Sequence, residues 1–261
     1  MNNPVILITN DDGVTAKGLR YLVRLMRKLG EVVVLAPDKP QSGMGHAVTF
    51  SSPLRLNLIH SEPQYLEYSC NGTPADCVKL GQKVILKRKP DLIVSGINHG
   101  SNTSINILYS GTMAAVLEGA MESIPSIGFS LNDHDPDADF THLDEYILSI
   151  TRNVIEKGLQ PYTCLNVNFP ARQAEEIKGV KVVRQGKAYW DEEFEERKDP
   201  RLREYYWLSG QFCNLDSDID NDEWALNNNY VSIVPVKIDL TDYAGIEEIS
   251  KWNFKDQNSD E

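Results

Sequence analysis

Two periodicities alternate along the first half of the chain. Val5–Thr9 is a short apolar run that ends in polar residues. Ala16–Leu29 repeats apolar residues at helical spacing through Leu19, Leu22, Val23, Leu25 and Met26, and Glu31–Ala36 is a second apolar run. Short apolar runs bounded by turn residues read as buried strands, and the three-and-four spacing between them reads as an amphipathic helix. The same pattern returns as a strand at Asp91–Ser95, a helix at Ser110–Glu122 and a strand at Ser126–Phe129 after Pro125. Strands alternating with helices predict an α/β fold, a Rossmann-like doubly wound and mostly parallel sheet that extends to about residue 130.

Other stretches have a different texture. Pro53–Cys70 alternates like an antiparallel hairpin. Thr73–Leu86 reads as a helix with Thr73 as its N-cap and Pro74 at the first helical position. Leu143–Lys157 reads as a helix, and Leu165–Phe169 as a strand that stops at Pro170. Beyond about residue 180, strand-like pieces (Val180–Arg184, Tyr205–Leu208, Tyr230–Val234) are separated by acidic loops, and Asp191–Arg203 is charged enough for a solvated arm. This β-rich region, about 180–250, is either a small second lobe or an extension that packs on a partner subunit. Residues 253–261 are polar and expected to fray. The whole, residues 1–261, is expected to be a single α/β domain.

Composition narrows the function. The 261 residues carry a formal charge of −12 and only short basic runs, which disfavours long nucleic acid as a partner. No apolar run approaches the roughly 18 residues of a membrane span. The first residues lack a basic region followed by a long apolar stretch, so a cytoplasmic location is expected. Cys70, Cys77, Cys164 and Cys213 have no CxxC spacing, so they read as buried thiols, not as a zinc site or disulfide framework. A small phosphorylated ligand is compatible with the acidic balance, because one bound cation reverses the local field.

In an open α/β sheet the ligand crevice lies at the carboxyl ends of the strands. Four loops predicted there carry polar, glycine-containing sequence: "TNDDG", "APDKPQSGMGH", "SGINHGSNTS" and "YSGT". Asp11 and Asp12 can share one site where Gly13 lets the chain turn, and two carboxylates balance a divalent cation. They could equally cap the helix starting near Ala16, and the stretch alone does not separate the two. Ser42 and Asn98 add neutral oxygen donors, suited to Mg²⁺ or Mn²⁺, although both are also ordinary turn formers. Ser110, Gly111 and Thr112 open a helix and offer either an anion site for a phosphoryl group or a plain cap. His46 and His99 fall in these loops as candidate proton donors to a leaving alkoxide, whereas His60, His134 and His142 fall outside them. The chain lacks a GxGxxG after the first strand, a GxxxxGK[ST] and a GxSxG, which argues against a dinucleotide enzyme, a P-loop ATPase and a serine hydrolase.

Taken in order, "ITNDDG", "APDKPQSGMGHAVTF", "CNGTPADCV", "VSGINHGSN", "YSGTMAAVLEG", "LNVNFP" and "YYWLSG" resemble the SurE (survival protein E) family of metal-dependent nucleotidases, over about residues 5 to 245. The resemblance implies one divalent cation per subunit on Asp11, Asp12, Ser42 and Asn98, with Asp11, Asp12 and Asn98 in the catalytic machinery. It also implies hydrolysis of nucleoside 5′- and 3′-monophosphates, with some activity on short polyphosphates; the mechanism expected for such a site is attack by a metal-activated water. Homodimers or homotetramers whose C-terminal segments pack across subunits are implied as well. Where the family often reads GxNxGxD, this chain has Asn102-Thr103-Ser104-Ile105-Asn106. Alternatives stay open: Asp11 as a covalent nucleophile, a non-catalytic nucleotide sensor, or a receiver-like signalling domain. The last expects a Lys-Pro pair after a late strand, where "SIPSIGFS" has no lysine, and a chain about half as long.

Overall fold

Every residue of the strand Val5–Thr9 (β1) is buried, which requires a sheet covered on both faces. The computed structural model describes residues 3–171 and 176–254 and shows that sheet. Its first half comprises β1, α1 (Lys17–Met26), β2 (Glu31–Pro37), the hairpin β3 (Leu56–Glu62) and β4 (Tyr65–Cys70), α2 (Pro74–Leu80), β5 (Leu92–His99), α3 (Gly111–Met121) and β6 (Ser126–Leu131). There follow α4 (Asp144–Lys157), β7 (Thr163–Phe169), β8 (Val180–Val182), β9 (Ala188–Lys198), β10 (Glu204–Asn214), α5 (Asp222–Asn227), β11 (Val231–Lys237) and α6 (Tyr243–Ile249).

Nine strands form the main sheet in the order β3-β4-β2-β1-β5-β6-β7-β11-β8. From β4 to β7 all neighbours are parallel, β3 is antiparallel to β4 at one edge, and β11 is antiparallel to β7 near the other. Alternation along the strands divides the core. Ile6, Ile8, Val32 and Val34 pack with Leu19 and Leu22 of α1 and Ile147 of α4 on one face. Val5, Leu7, Val33 and Leu35 pack with Cys77 and Val78 of α2 and Ala115 of α3 on the other. Helices on both faces make the sheet doubly wound, as the sequence predicts.

Three expectations change. The sheet does not end near residue 130: β7, β11 and β8 continue it, because the apolar face of "VSIVPV" finds its partner on β7. The Thr73 capping box forms with Asp76, but the regular helix stops at Leu80 and passes into a wide π-type turn over Gly81–Leu86. Asp191–Arg203 is no loose arm. Most of it pairs in register with Glu204–Asn214 as a two-stranded hairpin exposed over nearly its whole length. Charged and aromatic residues mix on both faces of that hairpin, so no period of two betrayed it. Of the expected frayed tail, residues 255–261 lie outside the described residues. Cys70, Cys77, Cys164 and Cys213 are free thiols. No helix among the described residues is long and apolar enough to cross a membrane.

Candidate active site

Strand β1 lies between β2 and β5, and the chain runs outward from there in both directions, so the sheet's switch point falls at the carboxyl ends of β1 and β5. Asp11 and Asp12 follow β1, and Asn98 is the last residue but one of β5. A cavity of about 410 Å³ opens at this place, with Asp11, Ser42, Asn98 and Ser110 on its wall. Asp12 is half-buried beside it.

The loop after β1 is held at several points. Asn10 donates its side-chain amide to the Gly13 carbonyl (3.0 Å), and Gly13 turns the chain at φ +99°, a left-handed value that favours glycine. Gln41 N–H donates to the Asp11 carbonyl (2.7 Å), which brings the Ser42 loop against the aspartates. Helix α1 starts after Ala16 without a side-chain cap, so the aspartate pair is not serving as its cap. Instead Asp11 is buried and accepts a hydrogen bond from the Thr112 hydroxyl (2.5 Å). Gly111 makes this approach possible, since a Cβ there would lie 2.7 Å from the Asp11 Cβ. Burial pushes the Asp11 carboxyl up to about 6; the Thr112 hydrogen bond opposes the rise and the Asp12 charge adds to it.

Asn98 owes its position to a break in the ladder. The pairing of β5 with β6 shifts register between Ser95 and Asn98, and such irregularities re-aim side chains. The Asn98 amide nitrogen donates to the Gly100 carbonyl (2.8 Å), leaving its oxygen as an available acceptor. Beyond it, Asn102 is pinned by Asn168 (2.7 Å), Ser130 (2.8 Å) and Asn166 (2.8 Å), so the "LNVNFP" strand serves to hold the neighbouring loop. Ser110 does cap α3, accepting from Met113 N–H (3.0 Å), and it also faces the cleft. Thr112 is placed differently from Ser110: it is fully buried and absent from the cleft wall, and its hydroxyl donates to Asp11.

The histidines are also rearranged. His46 bonds Glu118 (2.7 Å), which Lys79 also holds (2.6 Å); burial raises the Glu118 carboxyl, but these two partners keep it below the usual range. His99 lies on the cleft wall with Nδ1 3.5 Å from Asp12 Oδ2 and its ring edge-on to Phe140. His134, set aside on sequence, lines the cleft as well, its ring seated over Gly100. It belongs to the loop after β6, another strand end, which escaped notice because "NDHD" has no glycine. Trp190, Phe212 and Glu223 also line the cleft, delivered by the region after residue 180. The Glu223 carboxyl is raised by burial, against a hydrogen bond from Thr103.

A model of the family described as Survival protein SurE matches residues 6–192. The chain belongs to the SurE family. A relative named 5′-nucleotidase SurE from Flavobacterium psychrophilum is 54% identical over 255 residues, 97% of this chain and 99% of its own length. Another of the same name from Bacteroides fragilis is 48% identical over 252 residues, covering 96% of this chain and 98% of its own. The crystal structure of the SurE protein from Aquifex aeolicus superposes with a TM-score of 0.81 at 40% identity, over 95% of this chain and 98% of that one. Likeness to SurE proteins therefore extends past residue 192 into the hairpin and β11.

The SurE cleft also bears on the expected cation. Asp11 lines it with Asp12 beside it, and no lysine or arginine lines it among the described residues. Asp12 Oδ2 is buried without a hydrogen-bond partner there. No cluster of three His, Cys, Asp or Glu side chains suited to a metal occurs among the described residues, so a soft or imidazole-rich site is not on offer. The donor set of two carboxylates with serine and asparagine oxygens fits a hard ion that completes its shell with water or substrate oxygens.

Proposed function

We propose that this SurE-family chain is a metal-dependent phosphomonoesterase that hydrolyses nucleoside 5′- and 3′-monophosphates, and short polyphosphates, with one Mg²⁺ or Mn²⁺ per subunit. Asp11, Asp12, Ser42 and Asn98 hold the ion. One observation carries the reading: a cleft walled by Asp11 and Glu223, with Asp12 beside it and no lysine or arginine on its wall among the described residues, repels a phosphate dianion unless a cation stands between them. When bound, a divalent ion supplies that charge and acidifies the water that attacks phosphorus.

The protein's own groups supply placement. Thr112 fixes the Asp11 carboxylate through its hydroxyl and backbone N–H. Ser110 and the Gly111 N–H, at the start of α3, steady the phosphoryl oxygens. His99 and His134 stand on the cleft wall where a leaving alkoxide needs a proton. The enzyme works in the cytoplasm as a homodimer or homotetramer; apolar side chains exposed on the hairpin and on α6 support assembly.

The test is phosphate release from a panel of 5′- and 3′-mononucleotides and short polyphosphates, with EDTA, Mg²⁺ and Mn²⁺ compared. Metal-restored release from nucleotides is expected; release undiminished by EDTA refutes the ion's role. A single turnover in ¹⁸O water is expected to place label in phosphate, and label in the Asp11 carboxylate would replace the activated water by a covalent nucleophile.

A further inference from the structure

Three aromatic side chains stand on the cleft wall, Tyr109 from the loop before α3 and Trp190 and Phe212 from the hairpin. Of that eleven-pair ladder only Trp190 and Phe212 line the cavity, and they are directly opposite each other at the root of the hairpin. Trp190 donates its indole N–H to Asn106 Oδ1 (2.8 Å), which fixes the polar edge of the ring. Phe212 meets it edge-on, with ring centres 5.5 Å apart at 63°. Despite both partners Trp190 as a residue is 43% exposed. A large ring clamped on one edge, braced by a second ring and still open beside a cleft has the geometry of a stacking platform.

Resting on the nucleotidase reading, we infer that Trp190 is the surface on which the substrate's base stacks while its phosphate lies at the carboxylate end of the same cleft. Phe212 and Asn106 are positioning residues for that ring. Stacking tolerates any base, because each has a π-face. The platform therefore selects nucleotides over other phosphomonoesters more than it selects one base over another.

The experiment compares 5′-AMP with ribose 5-phosphate, which lacks the base, in wild type, Trp190→Leu and Trp190→Phe, each in the full chain with Mn²⁺. Leucine keeps apolar bulk at the root of the hairpin and removes the π-face; phenylalanine keeps both. The ratio of kcat/KM for the two substrates is expected to fall about 10- to 100-fold in Trp190→Leu, chiefly through KM for 5′-AMP, and to stay within a few-fold of wild type in Trp190→Phe. An unchanged ratio in Trp190→Leu, or equal losses on both substrates, overturns the stacking role. Failure of the wild type to hydrolyse 5′-AMP with metal would instead overturn the nucleotidase reading, so the two failures are distinct.

Discussion

Asp11 answers two opposed demands. Its burial holds the carboxyl at about 6, above the ordinary 3.8, so the native state without metal binds a proton more tightly than the unfolded chain does. Stability without metal therefore falls as pH rises from about 4 through 6, by a total of about 3 kcal/mol. Asp11→Asn keeps an acceptor for Thr112 and removes the buried charge. In EDTA at pH 8 its melting temperature is expected to exceed that of wild type by several degrees, with the gap closing toward pH 4 in calorimetry. Its phosphate release with Mn²⁺ is expected to drop more than about 100-fold, beyond the cost of losing an outer-shell partner. For wild type, Mn²⁺ affinity in a titration is expected to weaken below pH 6, since the ion competes with the proton on Asp11. At this scale the sequence was legible for Asp11, Ser42, Asn98 and Ser110, which converge on the cleft, with Asp12 beside it. It named Thr112 as a candidate phosphoryl or cap group and did not show its bond to Asp11, because a hydroxyl serving a carboxylate and one facing a ligand look alike in a string. Trp190 and Glu223 were hidden too, since only the fold returns residues so distant to the strand ends.

Among elements, α1 approaches the end of β5 closely at Gly18. A Cβ on Gly18 would lie 2.1 Å from the Ile97 carbonyl oxygen, one residue before Asn98. Gly18→Ala is expected to push the helix off that turn, costing about 1–3 kcal/mol in urea unfolding and raising the Mn²⁺ midpoint for activity. Unchanged values for both would mean that the contact does not place Asn98. The strands β1, β2 and β5 and the helices α1 and α3 could be read directly because each buries a continuous run or a regular stripe. The extent of β9 and β10 could not be read, since an element with water on both faces has no apolar period to display. Strand β11 was visible as a strand, but its place in the main sheet was not, because pairing partners are a property of topology.

For the molecule as a whole, a net charge of −12 coexists with large apolar side chains in the open. Phe194 and Leu208, cross-strand partners on the hairpin, are 67% and 61% exposed, and Tyr243, Ile246 and Ile249 stand out on α6. Exposed apolar side chains such as the paired Phe194 and Leu208 mark candidate association surface. Sedimentation velocity is expected to show a dimer or tetramer, and Phe194→Lys combined with Leu208→Lys to shift it toward smaller species. An unchanged sedimentation coefficient would remove the hairpin from the assembly.

The hairpin is, mechanically, a lever. Eleven paired residues at about 3.4 Å each make an arm of nearly 40 Å, fulcrumed where Trp190 is fastened to Asn106. A partner gripping the tip would therefore hold an element whose root, at Trp190 and Phe212, is itself part of the cleft wall.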